Sequence, residues 1–155
     1  MSEIGDKIQE KCLAFSDRVI RLNDYLLEQA FSPVSDGRSQ KPEGKFQTSS
    51  IILQKYRVPV HLQAVATLCN QLLRSGTSIG ANNAEATSAI SKADFKSKSY
   101  IALKEARESL YWINLLHRNG YIDDKQYDSI YADCEELVKV LVHRCKKLDE
   151  NGTEK

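Results

Sequence analysis

Four stretches of this chain place their inner residues at alternating steps of three and four, and that spacing constrains the fold more than any other feature. The first, about residues 5–29, carries Ile8, Cys12, Phe15, Val19, Leu22 and Leu26. An α-helix completes a turn in about 3.6 residues, so these side chains line one side of a helix. A strand would need a two-residue period, which is absent. The second stretch, about 59–87, runs Leu62, Val65, Cys69, Leu72, Gly76, Ile79, Asn83 and Ala86. The third, about 92–118, runs Phe95, Ser99, Ala102, Ala106, Ser109, Ile113 and Leu116. The fourth, about 124–148, has Tyr127, Ile130, Cys134, Leu137, Leu141 and Leu148. The last three helices are joined by short connections, which makes neighbours antiparallel. The expected fold is therefore all-α, an antiparallel up-down four-helix bundle, with residues 1–155 forming one domain. A polar segment at about 30–57, rich in Ser, Gly and Pro, reads as a long loop.

Local signals mark the helix ends. Pro59 suits a first helical turn. Ser91 and Asp94 stand three apart, as in a capping box with Asp in place of Glu. Asn119-Gly120 ends the third helix, and Asp123 or Asp124 opens the fourth. Arg144, Lys146 and Lys147 suit the negative end of the fourth helix dipole.

The segment SGTSIGANNAEATS, residues 75–88, has two glycines and could be taken for a phosphate-binding loop. Such a loop needs G-x-x-x-x-G-K-[ST] after a strand, whereas here the helical period continues through Gly76 and Gly80. Each glycine costs roughly 1 kcal/mol relative to alanine in a helix. Close helix contact offsets that cost. We expect Gly76 and Gly80 to face the small residues Ala102 and Ala106 of the third helix, nearer than the usual separation of about 8–10 Å. Ser78, Asn82 and Glu85 follow at helical steps. With Arg107 and Glu108 they are expected to form a polar network that fixes packing register.

Composition excludes more than it selects. Apolar residues make up 41% of the 155 and charged residues 28%, as in a globular protein. The net charge of +1 gives no overall pull towards nucleic acid or acidic lipid. Charge is nonetheless uneven. Lys92, Lys96, Lys98, Lys104 and Arg107 outnumber Asp94 and Glu105 on the third helix, whereas the start of the fourth is acidic. Lys96, Lys98, Lys104 and Arg107, with Arg144, Lys146 and Lys147, are the candidate nucleic-acid contacts. Tyr111, Trp112, Leu115, Tyr131 and Val138 extend the apolar arc beyond one core and are the candidate subunit interface.

No metal, cofactor or catalytic site is expected. The cysteines at 12, 69, 134 and 145 form no C-x-x-C pair, and His143 and Cys145 are poorly spaced as helical ligands. Glu85, Glu105 and Glu108 lack the Glu-x-x-His partners of a di-metal bundle. His61, His117 and His143 accompany no activated nucleophile. The start of the chain lacks an apolar leader and no run reaches a membrane-spanning length, so a cytoplasmic, non-membrane protein is expected.

The segment SGTSIGANNAEA resembles the second-helix signature of the four-helix-bundle proteins encoded in intervening sequences of bacterial 23S ribosomal RNA genes. Ser78, Ile79, Asn82, Ala84 and Glu85 match that pattern, while Asn83 replaces its isoleucine and Ala86 its glycine. DFKSKSYIALKEARESLYWINLL is similar to the family's third helix at Phe95, Ala102, Ala106, Glu108 and Leu115. The resemblance spans about residues 60–148. It implies a bundle that assembles as a homopentamer, with no established biochemical role. It also implies a relation to the accessory proteins of diversity-generating retroelements, which bind nucleic acid.

Overall fold

The computed structural model describes residues 3–31 and 60–150. They form four helices: α1 (Glu3–Phe31), α2 (Val60–Thr87), α3 (Lys92–Arg118) and α4 (Asp124–Glu150). Apart from its first two residues, the segment expected as a loop lies outside the described residues. No strand occurs among the described residues. Each helix packs on its neighbour in sequence, and α4 closes back on α1. The backbones of the diagonal pairs, α1 with α3 and α2 with α4, do not approach closely. That is the contact pattern of an up-down four-helix bundle.

The core is the meeting of the four stripes. Cys12, Phe15 and Val19 of α1 lie against Cys69, Leu72 and Ile79 of α2, Ala102, Ala106 and Ile113 of α3, and Cys134, Leu137 and Leu141 of α4, all essentially buried. Cys145, which the apolar spacing did not include, is buried as well. All four thiols are free and buried. Burial pushes the thiol pKa of Cys12 and Cys69 up to about 11 and that of Cys134 up to about 12. They are therefore neutral packing groups at physiological pH and poor nucleophiles or metal ligands.

The turns follow their sequence signals. Ser91 caps α3 by accepting from the Asp94 amide at 3.0 Å, while the Asp94 carboxylate accepts from the Ile90 amide at 3.2 Å. Gly120 adopts a φ of 72°, a left-handed conformation that glycine adopts without Cβ strain. At the start of α4 the Asp123 carboxylate accepts from the Gln126 amide at 2.7 Å, and the Gln126 side chain accepts in return at 3.0 Å. This reciprocal pair satisfies two amide donors that the helix start would otherwise leave open.

The glycines of α2 face α1, which corrects the expectation that they face α3. A Cβ on Gly76 would lie 3.1 Å from Val19 Cγ2 and 3.4 Å from Phe15 Cε1, and one on Gly80 would lie 3.4 Å from Cys12 Cβ. The reason is one step of helix rotation. Ser75 immediately precedes Gly76, and it is Ser75 that meets α3, 2.9 Å from the Ser109 hydroxyl. Ser109 also lies 2.9 Å from the Glu105 carbonyl, and Ser75 lies 3.4 Å from that of Leu72. The two buried hydroxyls thus find acceptors without leaving the α2–α3 seam.

Candidate functional site

The residues singled out from the sequence separate into three environments. The first is a buried polar layer near the α2–α3 turn. Arg144 Nη1 donates to Asn83 Oδ1 at 2.6 Å, and Asn83 Nδ2 donates to Gln9 Oε1 at 2.5 Å. Gln9 Nε2 in turn faces the Gly80 carbonyl at 3.4 Å. The donors all run in one direction, so each bond polarises the next. Phe95 of α3 completes the layer, its ring centroid 5.7 Å from the Arg144 guanidinium carbon. Each of the four helices therefore contributes one side chain. Burial lowers the Arg144 pKa from its ordinary value, with Cys12 and Cys145 acting in the opposite sense.

This placement revises the role of Arg144. It was expected on the surface with Lys146 and Lys147, which are exposed, but it reaches inward to Asn83. Asn83, the residue standing where the resembled pattern has isoleucine, is fully buried and is the hub of the layer. The sequence signal was present as a polar residue inside an apolar stripe. Gln9 gave no comparable signal.

The second environment is the set of residues expected to share a network, which the structure does not bring together. Glu85 pairs with Lys98 across the α2–α3 seam. Asn82 turns back to the Ser78 carbonyl at 2.8 Å. Glu108 accepts from Trp112 Nε1 at 3.1 Å on its own helix, and Arg107 is exposed. Ala102 and Ala106 are buried in the core, where the Ala106 carbonyl meets the Cys134 thiol at 3.3 Å.

The third environment is the surface. The basic residues of α3 do not form one patch. Lys96 pairs with Asp149 of α4 at 2.8 Å, whereas Lys98 turns to α2. Hydrogen bonds from Lys96 and Tyr100 hold the Asp149 carboxyl below its usual range. Lys104 and Arg107 are exposed and have no ion-pair partner among the described residues. Tyr111 is 57% exposed and meets Trp112 edge-on, with ring centroids 4.8 Å apart. Leu115 lines a shallow groove with Leu68, Thr67 and Tyr121 at the end of the bundle remote from Arg144. Tyr131 and Val138 of α4 are half-buried against the core. The acids at the start of α4 are largely engaged. Asp133 pairs with Arg18, Glu136 with Lys11 at 2.7 Å, and Asp124 lies 2.8 Å from His117.

Among the described residues, no group of three or more His, Cys, Asp or Glu side chains could hold a metal ion. His117 is stacked on Tyr127, with centroids 4.2 Å apart, and His143 is exposed. No described helix is long and apolar enough to cross a membrane. These features define an all-α four-helix bundle with a polar layer in its interior. Residues 49–143 match the family model of the 23S rRNA-intervening sequence protein. A solved structure from Bacteroides thetaiotaomicron, described as a protein of unknown function from the S23 ribosomal protein family, is 36% identical. That match covers 92% of this chain and 98% of the other, with a TM-score of 0.66. The chain belongs to the 23S rRNA-intervening sequence protein family. No curated protein matches it.

Proposed function

We propose that this chain is a non-enzymatic, homo-oligomeric scaffold or accessory protein that works in the cytoplasm. The observation that carries the reading is the contrast between a closed, chemically quiet interior and an outer surface that leaves Tyr111 exposed beside the half-buried Trp112. Large amphipathic rings supply interface area at low entropic cost. Tyr111, Trp112, Leu115, Tyr131 and Val138 are the first residues we assign to subunit contact, and the family resemblance supports an assembly of five. Multi-angle light scattering tests the assembly. A mass several times 17.5 kDa at micromolar concentration is expected, and a 17.5 kDa particle at every concentration overturns the reading.

A second reading is nucleic-acid binding on the assembled oligomer, as in the retroelement accessory proteins to which the sequence bears a resemblance. The observation favouring it is that Lys104 and Arg107 are exposed and unpaired among the described residues, while Lys146 and Lys147 are exposed. Phosphate contacts would make such binding fall steeply with salt. Titration of single-stranded RNA and duplex DNA at low and physiological salt decides it. Absence of binding at low salt discards this reading and leaves the scaffold reading standing.

A further inference from the structure

The ion pairs leave an unusual remainder. Every pair between described helices lies on a seam: Lys11–Glu136 and Arg18–Asp133 between α1 and α4, Glu85–Lys98 between α2 and α3, and Lys96–Asp149 and His117–Asp124 between α3 and α4. Among the charges left over, two rows of opposite sign stand out on two helices whose backbones do not approach each other closely. On α1, Asp6, Glu10, Asp17 and Asp24 are all exposed, and none has an ion-pair or hydrogen-bond partner among the described residues. Glu10, Asp17 and Asp24 recur every seven residues, so they form a row along the helix. Leu13, 57% exposed, and Ile20, 43% exposed, each precede an acid of that row by four residues and lie beside it. Arg21 flanks the row as its one nearby exposed base without a partner among the described residues.

On α3, Lys104, Tyr111 and Arg118 recur at the same seven-residue step, and Arg107 fills the turn between the first two. All four are exposed, and the three cations have no ion-pair partner among the described residues. Ile101, 36% exposed, adds an apolar group one turn before Lys104. Two acids lie near this row: Glu108 accepts from Trp112, and the half-buried Glu105 interacts electrostatically with Lys104. One face is therefore acidic and aliphatic, the other basic and aromatic, with the same repeat. Because α1 and α3 are diagonal in the bundle, the two faces belong to opposite sides of one molecule and cannot meet within it.

We infer that the partner of each face is the other face on a second copy of this chain: α1 of one subunit docks along α3 of the next. Such a contact is heterologous, so repeating it gives a closed ring or an open filament rather than a two-fold dimer. The charges set register and discriminate against α1–α1 and α3–α3 pairing, because like charges would then face each other. Leu13 and Ile20 would supply the apolar contact for Tyr111 and Ile101. This inference rests on the proposal that the protein self-assembles, and it names the surfaces.

Charge exchange tests it. Asp17→Lys with Asp24→Lys makes both faces basic, and Lys104→Glu with Arg107→Glu makes both acidic. All four positions are exposed, and circular dichroism should show wild-type helix content in each variant. Each variant alone should run at 17.5 kDa in light scattering. The chain carrying all four substitutions restores opposite signs and should recover the wild-type mass, while an equimolar mixture of the two double variants should form mixed assemblies heavier than 17.5 kDa, strict alternation closing only rings with an even number of subunits. Wild-type mass in either double variant, with helix content intact, overturns the inference while leaving self-assembly standing. Failure of both the fourfold variant and the mixture to reassemble also overturns it. A wild-type monomer removes the assembly proposal itself. If the Lys104/Arg107 variant keeps its mass but loses RNA binding, the α3 face serves nucleic acid and not a second subunit.

Discussion

Helix α1 is held on two flanks by different physics. Towards α2 the contact is close and apolar. Gly76 and Gly80 carry no side chain, and Phe15, Val19 and Cys12 occupy the space they leave. Towards α4 the contact is smaller and is clasped at its edge by charged and polar groups. Arg18 pairs with Asp133, donates to the Ser129 carbonyl at 3.2 Å and to its hydroxyl at 2.8 Å, and Lys11 pairs with Glu136. Both flanks fix the same helix, but they differ in what a substitution can do. Dense packing has no room to relax, whereas a solvated clasp loses little when opened.

The largest effect is expected where packing is tightest. Gly76→Leu must displace Val19 and Phe15, and it should destabilise the protein by about 1–3 kcal/mol in a denaturant melt. Gly80→Ala should do the opposite. Its new methyl would sit 3.4 Å from Cys12 Cβ, an ordinary contact, and alanine improves helix propensity. A gain of up to about 1 kcal/mol is expected. Equal midpoints for wild type and Gly76→Leu would show that the glycines do not set the α1–α2 distance.

The polar layer ties the two flanks together, since Arg144 comes from α4 and reaches Asn83 beside Gln9. Arg144→Met should cost about 1–3 kcal/mol by leaving the buried Asn83 carbonyl oxygen without its donor. Asn83→Ile alone should also destabilise, because the partly buried guanidinium then loses its acceptor. The double variant should recover much of the loss, since replacing both partners removes the unsatisfied groups along with the bond. Strictly additive losses across this cycle would show that the contact is not coupled.

The smallest effect belongs to the clasp. Arg18→Ala should cost under about 1 kcal/mol, because the pair is partly exposed and offset by side-chain entropy. The loss should shrink as salt rises. A cost as large as that of Gly76→Leu would mean that the two flanks are not different in kind.

The same contrast explains what the sequence made legible. The inner stripe of α2 could be read because periodicity specifies which residues share a helix face. It does not specify which neighbour a residue at the edge of that face will meet. Ser75 and Gly76 are one residue, or about 100°, apart, and that rotation separates the α3 side from the α1 side. Glu85 was legible as a residue needing a partner, but Lys98 and Arg107 both lay on the facing helix, and only the packed register chose Lys98. Arg144 read as surface because it sits in a basic run with Lys146 and Lys147. Its burial depends on Asn83, 61 residues away in sequence, a relation that local pattern does not contain. The acidic row of α1 was hidden differently. The acids of α4 stood out by density, yet Asp133 and Glu136 are engaged by α1, whereas the row Glu10, Asp17 and Asp24 on α1 has no ion-pair partner among the described residues.

Zero-length carbodiimide cross-linking of a mixture of unlabelled and nitrogen-15-labelled protein tests directly whether the outer faces of α1 and α3 join copies of this chain. The reagent couples carboxylates to lysine amines only where they touch, and the mixed labels distinguish links between copies from links within one. Lys11–Glu136, Lys96–Asp149 and Lys98–Glu85 should appear as links within a chain and serve as internal controls. Docking of α1 on α3 should give mixed-label links from Asp17 or Asp24 to Lys104. Mixed-label links confined to other residues, or none beside strong internal controls, would contradict it.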